Sequence, residues 1–180
     1  MKGVIFTELF GLIEQTQGEK FLDDLIDACD LPSCGAYTSV GTYNYSEMQT
    51  LVTELSKRSG LPAADLLEKF GFHLFKRFHL LYPNLFVDHT CPLHFLTQVE
   101  LVIHKEVLKL YPEAELPSFN TVAKSTNSLE LEYRSKRGLA PLALGLIKGC
   151  LAHFGSMGTV TMEVWEEGYN AVLFKIRLNP

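Results

Sequence analysis

Apolar residues recur at helical spacing through the first half of the chain. Val4, Ile5, Leu9, Leu12 and Ile13 share one stripe, Gly18 interrupts it, and Phe21, Leu22, Leu25 and Ile26 resume it. That pattern predicts two successive helices. From Asp30 to Tyr45 the chain carries Pro32, Gly35 and Gly41 and reads as loop, with room for one short helical turn. Ser46 with Gln49 three positions on matches a capping box, opening a third helix that Gly60 stops. Leu61-Pro62 opens a fourth, with proline at its first position. Leu66, Leu67, Phe70, Leu74, Phe78 and Leu81 carry it to Tyr82, and Pro83 ends it. So wide and aromatic a stripe predicts burial on more than one side. Pro92 precedes a fifth helix from Leu93 to Tyr111.

The period then changes from helix to strand. Leu129, Leu131 and Tyr133 alternate with Glu130, Glu132 and Arg134, the mark of a half-buried strand. The polar stretch Lys124–Ser128 reads as a turn from an earlier strand near Asn120–Ala123. Gly138–Phe154 is a strongly apolar helix, and Val160, Met162 and Val164 face Val172, Phe174, Ile176 and Leu178 across a closing hairpin around Glu166–Asn170. The expected fold is α+β within one domain over residues 1–180. A helical N-terminal lobe covers about residues 1–60, and a lobe over about 61–180 packs helices on an antiparallel four-stranded sheet.

Composition narrows the function classes. A chain of 180 residues with 47% hydrophobic and 21% charged positions can bury a sizeable core. Its net charge of −5, with no basic cluster longer than Arg134, Lys136 and Arg137, argues against nucleic-acid binding. No run approaches the roughly 20 apolar residues of a membrane span. Glu8 interrupts the apolar N-terminus and no small-residue cleavage site follows before Glu14, so this segment is expected to be a mature helix and not a signal peptide. Cys29, Cys34, Cys91 and Cys150 are scattered, which fits reduced thiols in a cytoplasm better than a disulfide framework. Residues 155–180 hold neither Cys nor His, so no zinc is expected there.

Three places carry candidate chemistry. His104 projects from an apolar stripe formed with Leu101, Val107 and Leu108. Such a histidine can be a core residue satisfied by one backbone carbonyl, or a neutral imidazole free to ligate iron. Tyr133, Ser135 and Arg137 would share one face of a strand and present a phenol, a hydroxyl and a guanidinium fork, a set suited to paired carboxylates or to an ordinary ion pair at a strand end. Pro112 and Pro117 stiffen the loop leaving the His104 helix, either as a plain helix stop or as a wedge against a flat ligand. The other histidines, His73, His79, His89, His94 and His153, show no ligand spacing with one another.

Taken in order, a histidine on an apolar helix, Tyr111-Pro112, Pro117-Ser118-Phe119, then Tyr133-x-Ser135-x-Arg137 and an apolar Gly-Leu helix resemble the H-NOX family. These are haem nitric oxide/oxygen-binding domains, related to the haem domain of soluble guanylate cyclase. The resemblance spans effectively the whole chain, from Met1-Lys2-Gly3 to its end. It implies haem b (protoporphyrin IX iron) with His104 as axial ligand and Leu101 beside it. It also implies propionates held by Tyr133, Ser135 and Arg137, and Pro117 pressed on a pyrrole. Ile5, Leu9, Leu74, Phe78, Leu142 and Leu146 would line the distal side. Members that hold oxygen stably carry a distal tyrosine, and here the matching residue is Leu142, so nitric oxide and carbon monoxide are the expected ligands. Tyr45 stands where some relatives place an acidic residue that pairs with the propionate arginine, which implies a different coupling between lobes. Signalling would pass in trans to a histidine kinase or a cyclic-di-nucleotide enzyme. A haem enzyme is disfavoured, because no polar acid/base group occurs among the distal candidates. An oxygen-binding or redox-sensing haem protein and a haem-free dicarboxylate module are the alternatives.

Overall fold

A computed structural model describes residues 1–87 and 89–179, which form two compact units, Met1–Phe70 and Gly71–Pro180. In the first unit, α1 (Gly3–Gln17) buries Phe6, Leu9 and Ile13 on one face, and α2 (Glu19–Asp27) buries Leu22 and Leu25. Helix α3 (Tyr45–Ser59) starts two residues earlier than the capping-box reading predicts. Asn44 is its cap, its side-chain oxygen accepting the Ser46 N–H at 3.0 Å. Gly60, left-handed at φ 70°, ends it with its N–H on the Ser56 carbonyl.

The loop before α3 is held from below by a buried carboxylate. Glu47 is 4% exposed. Its Oε2 accepts the Ser33 N–H at 3.2 Å, the Ser33 hydroxyl, and the Tyr37 hydroxyl at 3.0 Å. Tyr37 in turn stacks on Phe6 with ring centroids 4.3 Å apart. Burial, helped by the bond to Glu47 and opposed by that to Ser33, pushes the Tyr37 phenol up to about 12.

Helix α4 (Ala63–Leu81) leads into the second unit and begins one residue after Pro62, whose carbonyl accepts the Asp65 and Leu66 N–H groups. The predicted fifth helix is one helical run in three parts: α5 (Pro92–Gln98), a single π-turn (Val99–Ile103) and α6 (His104–Leu110). The sheet follows as β1 (Ser118–Lys124), β2 (Ser128–Arg134), β3 (Gly158–Glu166) and β4 (Ala171–Leu178), with α7 (Ala140–His153) between β2 and β3. All pairings are antiparallel and the strand order is β1-β2-β4-β3.

Alternation along β2 holds as predicted: Leu129, Leu131 and Tyr133 are at most 2% exposed. They meet Val172, Phe174 and Ile176 of β4 in a core shared with Ala143, Ile147 and Cys150 of α7. Burying each large apolar side chain of that core contributes roughly 1.5–3 kcal/mol. Helix α7 lies tight against α4 because both offer glycine at the contact. A Cβ at Gly149 would sit 2.7 Å from Phe75 Cβ, and one at Gly71 would sit 2.1 Å from the Leu142 carbonyl oxygen. Thus the expected α+β architecture, with helices packed on a four-stranded antiparallel sheet, is the observed one.

Candidate functional site

The π-turn ends where the candidate chemistry begins. A π-turn is rare and usually a single-turn bulge inside an α-helix, frequently at a functional site. Here it carries Glu100 and delivers His104 to the first position of α6. Nδ1 of His104 lies 3.0 Å from Glu100 Oε2. The same carboxylate oxygen accepts the Phe119 backbone N–H of β1 at 3.1 Å. Burial pushes the His104 pKa below the ordinary histidine value, against the hydrogen bond and charge of Glu100, which pull it up. Neutral imidazole is therefore the favoured form at neutral pH, and the contact with Glu100 is a hydrogen bond in which Nδ1–H donates to the carboxylate. That tautomer leaves the Nε2 lone pair as a donor to a metal ion. Aromatic contacts continue inward: His104 to Phe119 at 5.9 Å, Phe119 to Tyr133 at 5.3 Å, and Tyr133 to Phe174 at 6.0 Å between centroids.

The expected apolar setting of His104 needs correction. Leu101 is 57% exposed, and the neighbour bonded to the imidazole is Glu100, one helical turn before it. Glu100 could have been found in the sequence, since position i−4 of a helical histidine faces it.

Tyr133 is the last buried residue of β2, which ends at Arg134. Period two along a strand predicts that Ser135 and Arg137 extend its face, but the chain turns first. The Ser135 N–H still donates to the Asn170 carbonyl at 2.8 Å, Lys136 and Arg137 form a turn, and Gly138 adopts φ 60°. A Cβ at Gly138 would lie 2.2 Å from the Gly168 carbonyl oxygen, so only glycine fits the close approach that makes the turn. Ser135 and Arg137 are brought together all the same, by the Arg137 N–H donating to Ser135 Oγ at 3.2 Å.

Arg137 uses its fork on the loop between α6 and β1. Nη1 donates to the Glu115 carbonyl at 2.9 Å and Nη2 to Glu115 Oε2 at 2.7 Å. The arginine side chain is 17% exposed and that of Glu115 is 83% exposed. Glu115 thus presents a carboxylate to the guanidinium from a position where an incoming carboxylate could replace it. Pro117, half-buried, lies on the same loop two residues before Phe119.

The apolar candidates are distributed over three helices. Leu74 of α4 and Leu142 of α7 are buried, and Phe78 and Leu146 are half-buried. Ile5, half-buried, and Leu9, buried, belong to α1 of the N-terminal unit. None of the six carries a hydrogen-bonding side chain. Among the described residues no group of three or more His, Cys, Asp or Glu side chains is arranged to hold a metal ion. His104 supplies one ligand, which suits a metal whose other ligands come with it, as in a porphyrin.

Comparison with known proteins agrees on one family. The model of the haem-NO-binding family matches residues 2–164. Among solved structures, the unliganded Fe(II) H-NOX protein of K. algicida is 38% identical over all of this chain and 97% of its own, with a TM-score of 0.96. The H-NOX protein of Shewanella woodyi, solved with IWP-051 bound in the Fe(II)CO state, is 37% identical over all of this chain and 95% of its own, with a TM-score of 0.85. That of S. oneidensis in the Fe(II)NO state is 27% identical over the whole of both chains, with a TM-score of 0.92. No curated protein sequence matches the chain.

Proposed function

The chain belongs to the haem-NO-binding family, and on that premise we propose that it is a sensor of nitric oxide. In this reading it takes nitric oxide and carbon monoxide at ferrous haem b, forms no lasting oxygen complex, and signals to a separate protein. The observation that carries the reading is the half-buried imidazole of His104, held through Nδ1 by Glu100. A donor set of one neutral imidazole, an arginine fork and flat apolar side chains fits an iron porphyrin. Ferrous haem, when bound, supplies the iron at which a diatomic gas is taken up. Attachment would be non-covalent, because the sequence lacks the Cys-x-x-Cys-His run of c-type haem.

His104 Nε2 would donate to the iron, with Leu101 beside it. Arg137 would exchange the exposed Glu115 carboxylate for a propionate, with Ser135 and Tyr133 completing the clamp. Pro117 would press on the macrocycle from the loop that Arg137 and Phe119 anchor. Ile5, Leu9, Leu74, Phe78, Leu142 and Leu146 would line the gas side. Bound oxygen carries partial negative charge and is stabilised by a donor, a contribution of about 0.5–1.5 kcal/mol for a neutral bond and more for a charged one. Apolar side chains supply none of it, whereas nitric oxide binds through the metal alone. The solved relatives in Fe(II)NO and Fe(II)CO states support uptake of these two gases.

The same six residues include no acid or base for turnover, which favours a sensor over an enzyme. A partner in trans, a histidine kinase or a cyclic-di-nucleotide enzyme, would receive the signal in the cytoplasm. Its free cysteines are compatible with a reducing compartment, and no helix among the described residues is long and apolar enough to cross a membrane.

His104→Gly tests the assignment. The variant is expected to lose haem on gel filtration and to regain a ferrous spectrum with added imidazole. A native ferrous spectrum without imidazole would assign the iron to another ligand.

A further inference from the structure

We propose that Glu100 is the positioning residue of the iron ligand: its Oε2 orients the His104 ring, fixes the Nδ1–H tautomer and raises the donor strength of Nε2. The inference rests on the haem reading above for its effect on iron, but its geometry is independent of it. One carboxylate oxygen is shared by two N–H donors on different elements, His104 Nδ1 at 3.0 Å at the start of α6 and Phe119 N at 3.1 Å in β1. An oxygen held by the backbone of a strand is a fixed acceptor, so the ring that bonds to it has little rotational freedom. A π-turn over Val99–Ile103 is what leads from Glu100 to His104, an irregularity found mostly at functional sites. Donation of Nδ1–H to a carboxylate shifts electron density toward Nε2, which strengthens the ligand, and loss of such outer partners typically costs about 10–100-fold in metal affinity. The arrangement also joins His104 to β1 two residues after Pro117, so a shift of the ring is felt at the base of the loop that carries that proline.

The experiment compares wild type with Glu100→Ala and Glu100→Gln in two readouts. In haem-free protein, 15N NMR of His104 should show the Nδ1–H tautomer in wild type and a mixture in Glu100→Ala. In ferrous, haem-loaded protein the iron–histidine stretching band should fall in frequency from wild type to Glu100→Gln to Glu100→Ala, and the nitric oxide complex should shift toward the five-coordinate form in the same order. Haem affinity of Glu100→Ala should drop by about 10-fold or more. The glutamine variant keeps an acceptor oxygen without the charge, so it reports even if alanine fails to fold. Glu106→Gln, which loses an exposed ion pair with Lys109 at 2.6 Å, should leave the band in place. An unmoved tautomer and an unmoved band in both Glu100 variants would overturn the proposal. Absence of haem uptake by wild type would instead overturn the haem reading, and the haem-free NMR would still decide the role of Glu100.

Discussion

Arg137→Ala separates what the guanidinium contributes to the fold from what it contributes to a ligand. Among the described contacts the fork reaches Glu115 twice, at 2.9 Å to its carbonyl and 2.7 Å to its carboxylate. The carboxylate contact reaches a side chain that is 83% exposed, and exposed ion pairs are worth about 0–1 kcal/mol. The carbonyl contact adds about 0.5–1.5 kcal/mol net. Loss of these two contacts should destabilise the haem-free protein by about 1–2 kcal/mol, a fall of several degrees in Tm. A propionate accepted by the same fork would be worth about 1.5–3 kcal/mol as a charge-assisted pair, but it must displace Glu115. Subtracting about 1 kcal/mol for that exchange leaves about 0.5–2 kcal/mol, or about a 2–30-fold loss of haem affinity. Glu115→Ala should act in the opposite direction, raising affinity by up to about 5-fold, because the competing carboxylate is gone. Haem titration of the three haem-free proteins, followed in the visible, measures both effects. If Arg137→Ala keeps its haem affinity to within about two-fold, or if Glu115→Ala weakens haem as much as Arg137→Ala does, the arginine serves the loop and not a propionate.

Two further perturbations test the frame around the site. Glu47→Ala leaves the Ser33 N–H and the Ser33 and Tyr37 hydroxyls without their buried acceptor, which should cost about 2–4 kcal/mol in urea unfolding; a loss under about 0.5 kcal/mol, the range of an ordinary surface substitution, would show that the network contributes nothing. His153, packed with Phe75, Phe86, Phe154 and His79, has its pKa held below the ordinary 6.5 by burial and by the neighbouring His79. The unfolded chain then binds more protons, so stability is fully present above pH 6.5 and falls as pH drops through the folded value. His153→Phe should flatten the decline in Tm between neutral pH and the acidic side of that value, and an equal slope in both proteins would refute the assignment.

How much was legible in the sequence depended on whether a local period or a tertiary contact decided the structure. Leu129, Leu131 and Tyr133 announce β2 because a strand with one buried face must alternate, and the apolar run of α7 announces a helix covered on most sides. Residue types at His104, Ser135 and Arg137 marked positions where the structure shows directed side-chain contacts. Their surroundings were less legible. A single inserted residue that turns Val99–Ile103 into a π-turn leaves no trace in a 3.6-residue pattern, so the helix read as uniform. The end of β2 at Arg134 is set by Gly138 packing on Gly168, two glycines distant in sequence. Asn44 won the cap of α3 over Ser46 because its own side chain reached the Ser46 N–H, a competition that spacing alone does not resolve. No local spacing singles out Glu115 or Glu47, and only the folded chain brings Arg137 to one and Ser33 and Tyr37 to the other.

The most direct test of the central claim is one spectroscopic comparison on the wild-type protein. Haem-free protein is loaded with haem, reduced, and divided between air-saturated buffer and nitric oxide under argon, and the visible spectrum of each is followed in time. Uptake of haem, a nitric oxide complex, and no lasting oxygen complex in air are the predicted result. A stable oxygen spectrum in air would contradict the ligand choice that rests on Leu142 and its apolar neighbours, and failure to take up haem would contradict the account as a whole.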